Sequence, residues 1–464
     1  MIRSTILAVS MLLLAAPAAA QLSQTEYDAR YDRALAGGYG ALFLCGAIGN
    51  AEHAGAERTA ESVIAWELTG IQEPLEQIVR ELPYFIERGD DGVVDYVLVE
   101  WAADARPRIA VREEGGGCSL LPVWADVPNE PDSISGPQAR EEGASNLVHY
   151  DPALHGDFLS GQAFADVYSA AVAGGYGAQS RTTAVLVSRN GVILAEFYTS
   201  GFGADIPQRT WSVAKSIAAT LVGAAVHRGE ADVWGSAGLG TATADPRRSI
   251  TIDSGLRMAT GRYSDTPGNR TDPLYFGGAT VDERAIDWPL LHAPGQVFRY
   301  ANNDTLAAVQ AIEDTFEEHP PAALFDRLGM HHTVAETDWQ GNYILSSQVW
   351  STARDLARLG QLHLDDGVLP DGTRILPEGW VEYISSPSGS QPNGEWGYGA
   401  GWWVMSGFEG IPDDAFAARG NRGQYVVVIP SLDMVIVRRG EDPAGGGGFD
   451  IAAFTRDVIA ASEE

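Results

Sequence analysis

The sequence predicts an α+β fold in which one antiparallel sheet is assembled from both ends of a domain while the middle of the chain forms a helical half. Three stretches carry that expectation. Ala184–Ser188 and Val192–Tyr198 are apolar, β-prone runs joined through Arg189-Asn190-Gly191, and Asn-Gly is the preferred two-residue hairpin turn. Gln424–Pro430 and Asp433–Arg439 read as a second hairpin, followed by a helix at Phe449–Ala461. Between the hairpins, the stretch opening at Ser212 carries Ile217, Leu221, Val222, Ala225 and Val226. It is apolar nearly all round, which predicts a buried helix with Gly229 as its C-cap.

Taken in order, residues 1–20 read as a secretory signal peptide. Arg3 gives the positive start, Ile6–Leu14 the apolar core and Ala18-Ala19-Ala20 the cleavage site, with the cut expected before Gln21. The apolar run is too short for a permanent span, the residue at the cut is Gln21 and not a lipid-bearing cysteine, and no other stretch reads as transmembrane. The mature chain is expected to be secreted or periplasmic, with no stable membrane anchor. A secreted chain with two cysteines usually pairs them, here Cys45 with Cys118. Closing a loop of roughly 70 residues stabilises by about 4 kcal/mol in the chain-entropy treatment.

Residues 21–121 form a small α/β N-terminal unit. It begins with a helix at Thr25–Ala36 that ends in Gly37-Gly38. The apolar stretch Ala41–Cys45 comes next, then an amphipathic helix near Ala60–Leu82 and strands at Val93–Trp101 and Arg108–Arg112. Residues 122–164 hold Pro128, Pro131 and Pro137 among Asp, Ser and Gly, the composition of a linker or a strap laid over the next domain. Residues 165–464 form the main domain, with a long helical segment at Ser351–Leu364. The formal net charge of −31 is spread along the chain, and such a surface repels phosphate backbones and anionic membranes. Nucleic acid is therefore not expected as a partner; a small-molecule or short peptide substrate is. Composition says nothing about oligomeric state.

The chemistry concentrates at Ser212-x-x-Lys215. Lys215 is the one lysine among 31 basic side chains, the rest being arginine. Arginine stays protonated in a folded protein, whereas a buried lysine amine can give up its proton and act as a base. Residues three apart share a helix face, so the amine can reach the Ser212 hydroxyl, the Ser-Lys form of covalent catalysis. The plain alternative is that Ser212 is only an N-cap. A second motif, Tyr300-x-Asn302, stands before a helical run. Tyr300 by itself reads as a core aromatic, and Asn302 as a helix cap. There is no Gly-x-Ser-x-Gly elbow, no zinc cluster and no Walker loop, so no metal and no cofactor is expected.

Ser212, Lys215, Tyr300 and Asn302, in this order, resemble the serine β-lactamase and penicillin-binding-protein superfamily, specifically its class C-like branch. Pro294-Gly-Gln-Val-Phe-Arg-Tyr, Ser351-Thr-Ala-Arg-Asp-Leu-Ala-Arg-Leu-Gly, Arg374-Ile-Leu-Pro-Glu-Gly-Trp-Val and Gly423-Gln-Tyr-Val-Val-Val-Ile-Pro are most similar to its 6-aminohexanoate-dimer-hydrolase-like group. The likeness covers about 165–464. Gly117-Cys118-Ser-Leu resembles the N-terminal extension of that group. The resemblance implies a class C β-lactamase-like fold and a serine hydrolase that cleaves an ester or amide. Catalysis would run through an acyl-enzyme on Ser212, activated by Lys215 and Tyr300, with Asn302 holding the amine or a substrate amide. The superfamily's third motif, a basic residue, a small residue and glycine on the strand edging the site, matches here at Asn421-Arg422-Gly423. Its usual cation is replaced, and Arg422 or Arg419 could supply the charge. The implied oxyanion hole is the N–H groups of Ser212 and Gln424. A non-catalytic peptide- or β-lactam-binding sensor on the same fold is the competing class of function. The substrate itself is not legible.

Overall fold

A computed structural model describes residues 22–127, 161–263, 271–445 and 448–463. The expected signal peptide and most of the 122–164 strap lie outside the described residues. The chain opens with α1 (Gln24–His53) and two short helices, α2 (Ala60–Trp66) and α3 (Leu75–Val79). An antiparallel four-stranded meander follows: β1 (Tyr84–Arg88), β2 (Val94–Val99), β3 (Arg108–Arg112) and β4 (Cys118–Leu120). Next come α4 (Gln162–Val172), β5 (Thr182–Arg189), β6 (Val192–Tyr198), β7 (Gln208–Arg209) and α5 (Val213–Arg228). The helical half holds α6 (Ile252–Leu256), α7 (Asp272–Tyr275), α8 (Asn302–Gln310), α9 (Pro321–Arg327), β8 (Val334–Ala335), β9 (Val349–Ser351), α10 (Ala353–Leu364) and α11 (Trp380–Ser385). The chain returns through β10 (Gly397–Tyr398), β11 (Trp403–Val404), β12 (Phe416–Gly420), β13 (Gln424–Ile429) and β14 (Met434–Gly440), and closes in α12 (Ile451–Ala461).

The main sheet has seven strands in the order β10-β11-β12-β13-β14-β5-β6. It is joined from both ends of the domain, as expected, where β14 pairs antiparallel with β5 and Val437 faces Leu186. Asn190 and Gly191 both sit at positive φ, 50° and 72°, the conformation a two-residue hairpin turn requires. Alternation along the strands divides the apolar side chains between two faces. Leu186, Val426, Val428 and Val437 pack with α5 and α10, whereas Val187, Val427, Ile429 and Ile436 pack with α4 and α12. The α5 helix is buried from Val213 to Ala225 and ends at Gly229, φ 78°, the left-handed C-cap.

The N-terminal unit departs from expectation in two places. Gly37-Gly38 does not end the first helix; α1 runs unbroken through it to His53. The glycines there serve close packing: a Cβ on Gly38 would stand 1.9 Å from the Phe276 carbonyl oxygen, and one on Gly46 would stand 2.7 Å from the Trp350 ring. Burial on all sides therefore overrides the helix-breaking tendency of glycine. By length and composition α1 could cross a membrane, but its apolar stretch is wholly enclosed by protein. It packs against β2, β3 and β4 and, on the other side, against Trp211, Phe276 and Trp350 of the following chain. The expected 60–82 helix is two short ones, because Gly70 takes φ 74° and Pro74 lacks an N–H.

Cys45 of α1 and Cys118 of β4 form a disulfide. Denatured, unreduced protein is expected to show no free thiol, and two reactive thiols per chain would contradict the bond.

Carboxylates are buried in the same unit and against it. Glu336 accepts from the Cys118 N–H at 2.9 Å, and burial pushes its pKa up to about 7 against the opposing pull of Arg209. Burial likewise pushes Glu67 up to about 7 despite its ion pair with Arg58. Both groups hold a proton more tightly folded than unfolded. Their contribution is therefore complete below the unfolded value of 4.5 and is lost as pH rises through the folded one. Tm is expected to fall from about pH 5 to about pH 8, and Glu336→Gln to flatten the fall. A Tm that climbs across this window would contradict the assignment.

Candidate active site

The site is built where β7 hands the chain to α5. Gln208–Arg209 pairs with Trp350–Ser351 of β9, and the Thr210 N–H donates to the Val349 carbonyl at 2.7 Å. Trp211 then takes φ 51°, a left-handed conformation rare for a tryptophan and costing on the order of 1–3 kcal/mol. Its surroundings hold it there: the buried indole lies 4.4 Å from the Arg209 guanidinium and 5.8 Å from the Phe43 ring. Arg209, itself buried, donates to Ser347 Oγ at 2.9 Å. This turn sets Ser212 at the N-terminal end of α5, where its side chain makes no capping hydrogen bond. The N-cap alternative thus fails. The hydroxyl faces the lysine instead.

Lys215 is 1% exposed. Its Nζ stands 2.9 Å from Ser212 Oγ, 2.7 Å from Asn302 Oδ1 and 2.8 Å from the Ser346 carbonyl oxygen. Two of these partners are obligate acceptors. An amine giving its two hydrogens to them directs its lone pair at the serine hydroxyl, and an ammonium donates to all three. Asn302, the first residue of α8, has its orientation fixed by donating Nδ2–H to Thr271 Oγ1 at 3.0 Å. The Tyr300 ring lies 5.1 Å from Nζ. Burial pushes its phenol up to about 12, while a hydrogen bond with Ser212 and the nearby Arg419 charge pull it down. At neutral pH Tyr300 is therefore a phenol with its hydroxyl on the serine. The buried histidine of this half, His363, is used structurally. Its Nδ1 pairs with the Leu359 carbonyl at 2.8 Å, and burial pushes its pKa down to about 4.

The residues matched to the third motif are placed otherwise than expected. Arg422 does not edge the site: it is buried, pairs with Glu441 at 2.9 Å and donates to backbone carbonyls of the N-terminal unit. Gly423 does not open space for a substrate. A Cβ there would stand 1.8 Å from an Arg438 guanidinium nitrogen, so the close approach is internal. The Gln424 side chain is fully buried, its carboxamide held by Arg439 Nε at 2.6 Å and by the Gly440 carbonyl. Asn421 is exposed, and its Oδ1 accepts from the Arg422 N–H at 2.9 Å. The segment that packs against the turn leading into Ser212 lies three residues earlier, at Ala418-Arg419-Gly420. A Cβ on Gly420 would stand 2.3 Å from the Thr210 carbonyl oxygen, two residues before Ser212. Arg419 stacks on Trp396 and Trp403 at 4.1 and 4.8 Å. Trp403 also lies 5.5 Å from Tyr300.

Sequence reasoning passed over Trp211, Thr271, Ser346 and Gly420. Ser346 contributes only a carbonyl, which has no side-chain signature. Gly420 was legible as a glycine closing a strand, in the same small-basic-glycine pattern as 421–423.

A serine at the mouth of a buried helix, with a lone lysine amine on its hydroxyl, is the arrangement of a serine hydrolase. Comparison with known proteins agrees, and the protein is a serine hydrolase of the β-lactamase family: the sequence model of that family, Beta-lactamase, matches residues 170–439. The chain is 28% identical over 294 residues to the 6-aminohexanoate-dimer hydrolase of Paenarthrobacter ureafaciens, covering 55% of this chain and 72% of that one. It is 27% identical over 273 residues to penicillin-binding protein 4 of Amycolatopsis lactamdurans, covering 48% and 69%. Two solved structures share the fold. A Bacillus anthracis structure assigned to the 6-aminohexanoate-dimer hydrolases has a TM-score of 0.52 at 22% identity, covering 61% of this chain and 79% of that one. EstCE1, a hydrolase with promiscuous acyltransferase activity, has a TM-score of 0.50 at 15% identity, covering 65% and 99%.

Proposed function

We propose that the protein is exported and cleaves an ester or amide bond through an acyl-enzyme on Ser212. The observation that carries this is the Lys215 contact set, in which two carbonyl acceptors leave the third direction for the serine hydroxyl. Ser212 Oγ attacks the substrate carbonyl carbon as its proton passes to the Lys215–Tyr300 pair. The same pair then returns that proton to the departing alkoxide or amine. Water attacks the acyl-enzyme by the reverse route, releasing the acid and the free serine. The negative charge on the carbonyl oxygen is met by the Ser212 N–H, at the start of α5, and by the strand edge at Gly420-Asn421. One such donor contributes about 3–4 kcal/mol to the transition state.

Arg419 supports a substrate that carries a carboxylate. Its guanidinium is held between Trp396 and Trp403 beside Tyr300, placed to meet a carboxylate near the scissile carbonyl. A relative named for hydrolysing an aminohexanoate dimer points the same way, toward short amide oligomers or peptides. Matched substrates with free and methylated carboxylates test this. The free acid is expected to be preferred about tenfold or more, the worth of a charge-assisted hydrogen bond, and Arg419→Ala to erase the preference. Equal kcat/KM for both in the wild type would remove the carboxylate reading and leave an esterase of broad scope. Ser212→Ala is expected to abolish hydrolysis of either.

A further inference from the structure

The turn that ends the active-site strand is gripped by the N-terminal unit. Arg422, at φ 59° in that turn, is 4% exposed. Its guanidinium donates to four backbone carbonyls: Trp66 at 2.9 Å, Glu67 at 3.0 Å, Thr69 at 2.6 Å and Glu441 at 3.3 Å. Its charge pairs with Glu441. Three of the four carbonyls thus come from the last residue of α2 and the loop after it, more than 350 residues away in sequence.

That loop is fixed to the main domain independently. Arg58 pairs with both Glu67 carboxylate oxygens at 2.7 Å and donates to the Gly201 carbonyl at 3.1 Å. The Arg181 guanidinium stacks 4.4 Å from the Trp66 ring, and the Ala444 N–H donates to Gly70 at 2.7 Å. On the far side of the turn, the Asp442 N–H donates to the Arg422 carbonyl at 3.1 Å. A planar, five-donor fork suits this role, since one point charge cannot span four carbonyls.

We infer that Arg422 is a positioning residue, through which the N-terminal unit fixes the 421–423 turn and with it the Gly420-Asn421 backbone that faces the oxyanion. This rests on the Ser212 reading proposed above. The argument is one of leverage. Gly420 already touches Thr210, so the strand edge has one seat, and the residue two places on decides whether it stays there. Misplacing a preorganised donor by about an ångström costs on the order of 100-fold in rate.

The test uses the full-length protein, a p-nitrophenyl ester and a fluorophosphonate. Arg422→Met is expected to lower kcat about 100-fold, with KM and the pH profile unchanged because the Lys215–Tyr300 pair is untouched. Added guanidinium ion is expected to restore part of the loss. A kcat within about threefold of wild type overturns the inference. So does a loss accompanied by a shifted pH profile and no guanidinium rescue, which marks general loosening of the fold. Should Arg422→Met not fold, Glu441→Gln carries the test: it keeps the shape, removes the charge partner, and is expected to lower kcat about tenfold at constant KM. Fluorophosphonate on the wild type separates the two failures. A labelled Ser212 with unaffected variants overturns the positioning role alone, and an unlabelled Ser212 overturns the site reading and this inference together.

Discussion

Lys215→Arg is expected to abolish turnover while leaving the fold in place. The substitution keeps a positive charge, yet a guanidinium does not release its proton in a folded protein and cannot take one from serine. It is also planar and larger than the ammonium that fits between Asn302 Oδ1, the Ser346 carbonyl and Ser212 Oγ. Loss of a general base typically costs about 10²–10⁴-fold, and the upper part of that range is expected because the other group on Ser212, the Tyr300 phenol, is itself protonated at neutral pH. Steady-state kinetics on an activated ester, with circular dichroism to confirm folding, measures it. Retention of more than about a tenth of the wild-type rate would remove Lys215 from proton transfer.

Gly420→Ala is expected to have the second-largest effect, and for a geometric reason. The added methyl would stand 2.3 Å from the Thr210 carbonyl oxygen and 3.0 Å from Gln424 Cβ. Neither can withdraw easily, since Thr210 is bonded to Val349 and Gln424 is enclosed by Arg439 and Gly440. The strand edge must move away from Thr210, and with it the donor we propose for the oxyanion. A fall of about 100-fold or more in kcat/KM is expected, with a modest loss of stability. Unchanged kcat/KM would place the oxyanion contact elsewhere on the chain.

What the sequence revealed and what it concealed divide along physical lines. The Asn190-Gly191 hairpin, the β13–β14 hairpin and α5 were legible because turn chemistry and apolar patterning are local signals. Ser212 and Lys215 stood out because Lys215 is the single lysine and lies three residues after the serine, whereas Tyr300 and Asn302, ordinary in their own places, were singled out only through the family resemblance. The continuity of α1 was not, because Gly37-Gly38 reads as a break until the close approach of Phe276 is known. The end of the strand was read three residues late for a related reason. Ala418-Arg419-Gly420 and Asn421-Arg422-Gly423 look alike in sequence. Only the pairing of Gly420 with Gln424 reveals which triplet ends the strand and which forms the turn. The role of Arg422 was hidden outright, since its partners are backbone carbonyls from the other end of the chain.

The claim on which the rest depends is that Ser212 is the nucleophile. Incubating the folded protein with a fluorophosphonate and mapping the modified peptide by mass spectrometry tests it most directly. One equivalent of label on Ser212 is expected, with no label on Ser212→Ala and greatly slowed labelling of Lys215→Arg. Label on any other residue, or a folded wild type that takes up none, would contradict the account.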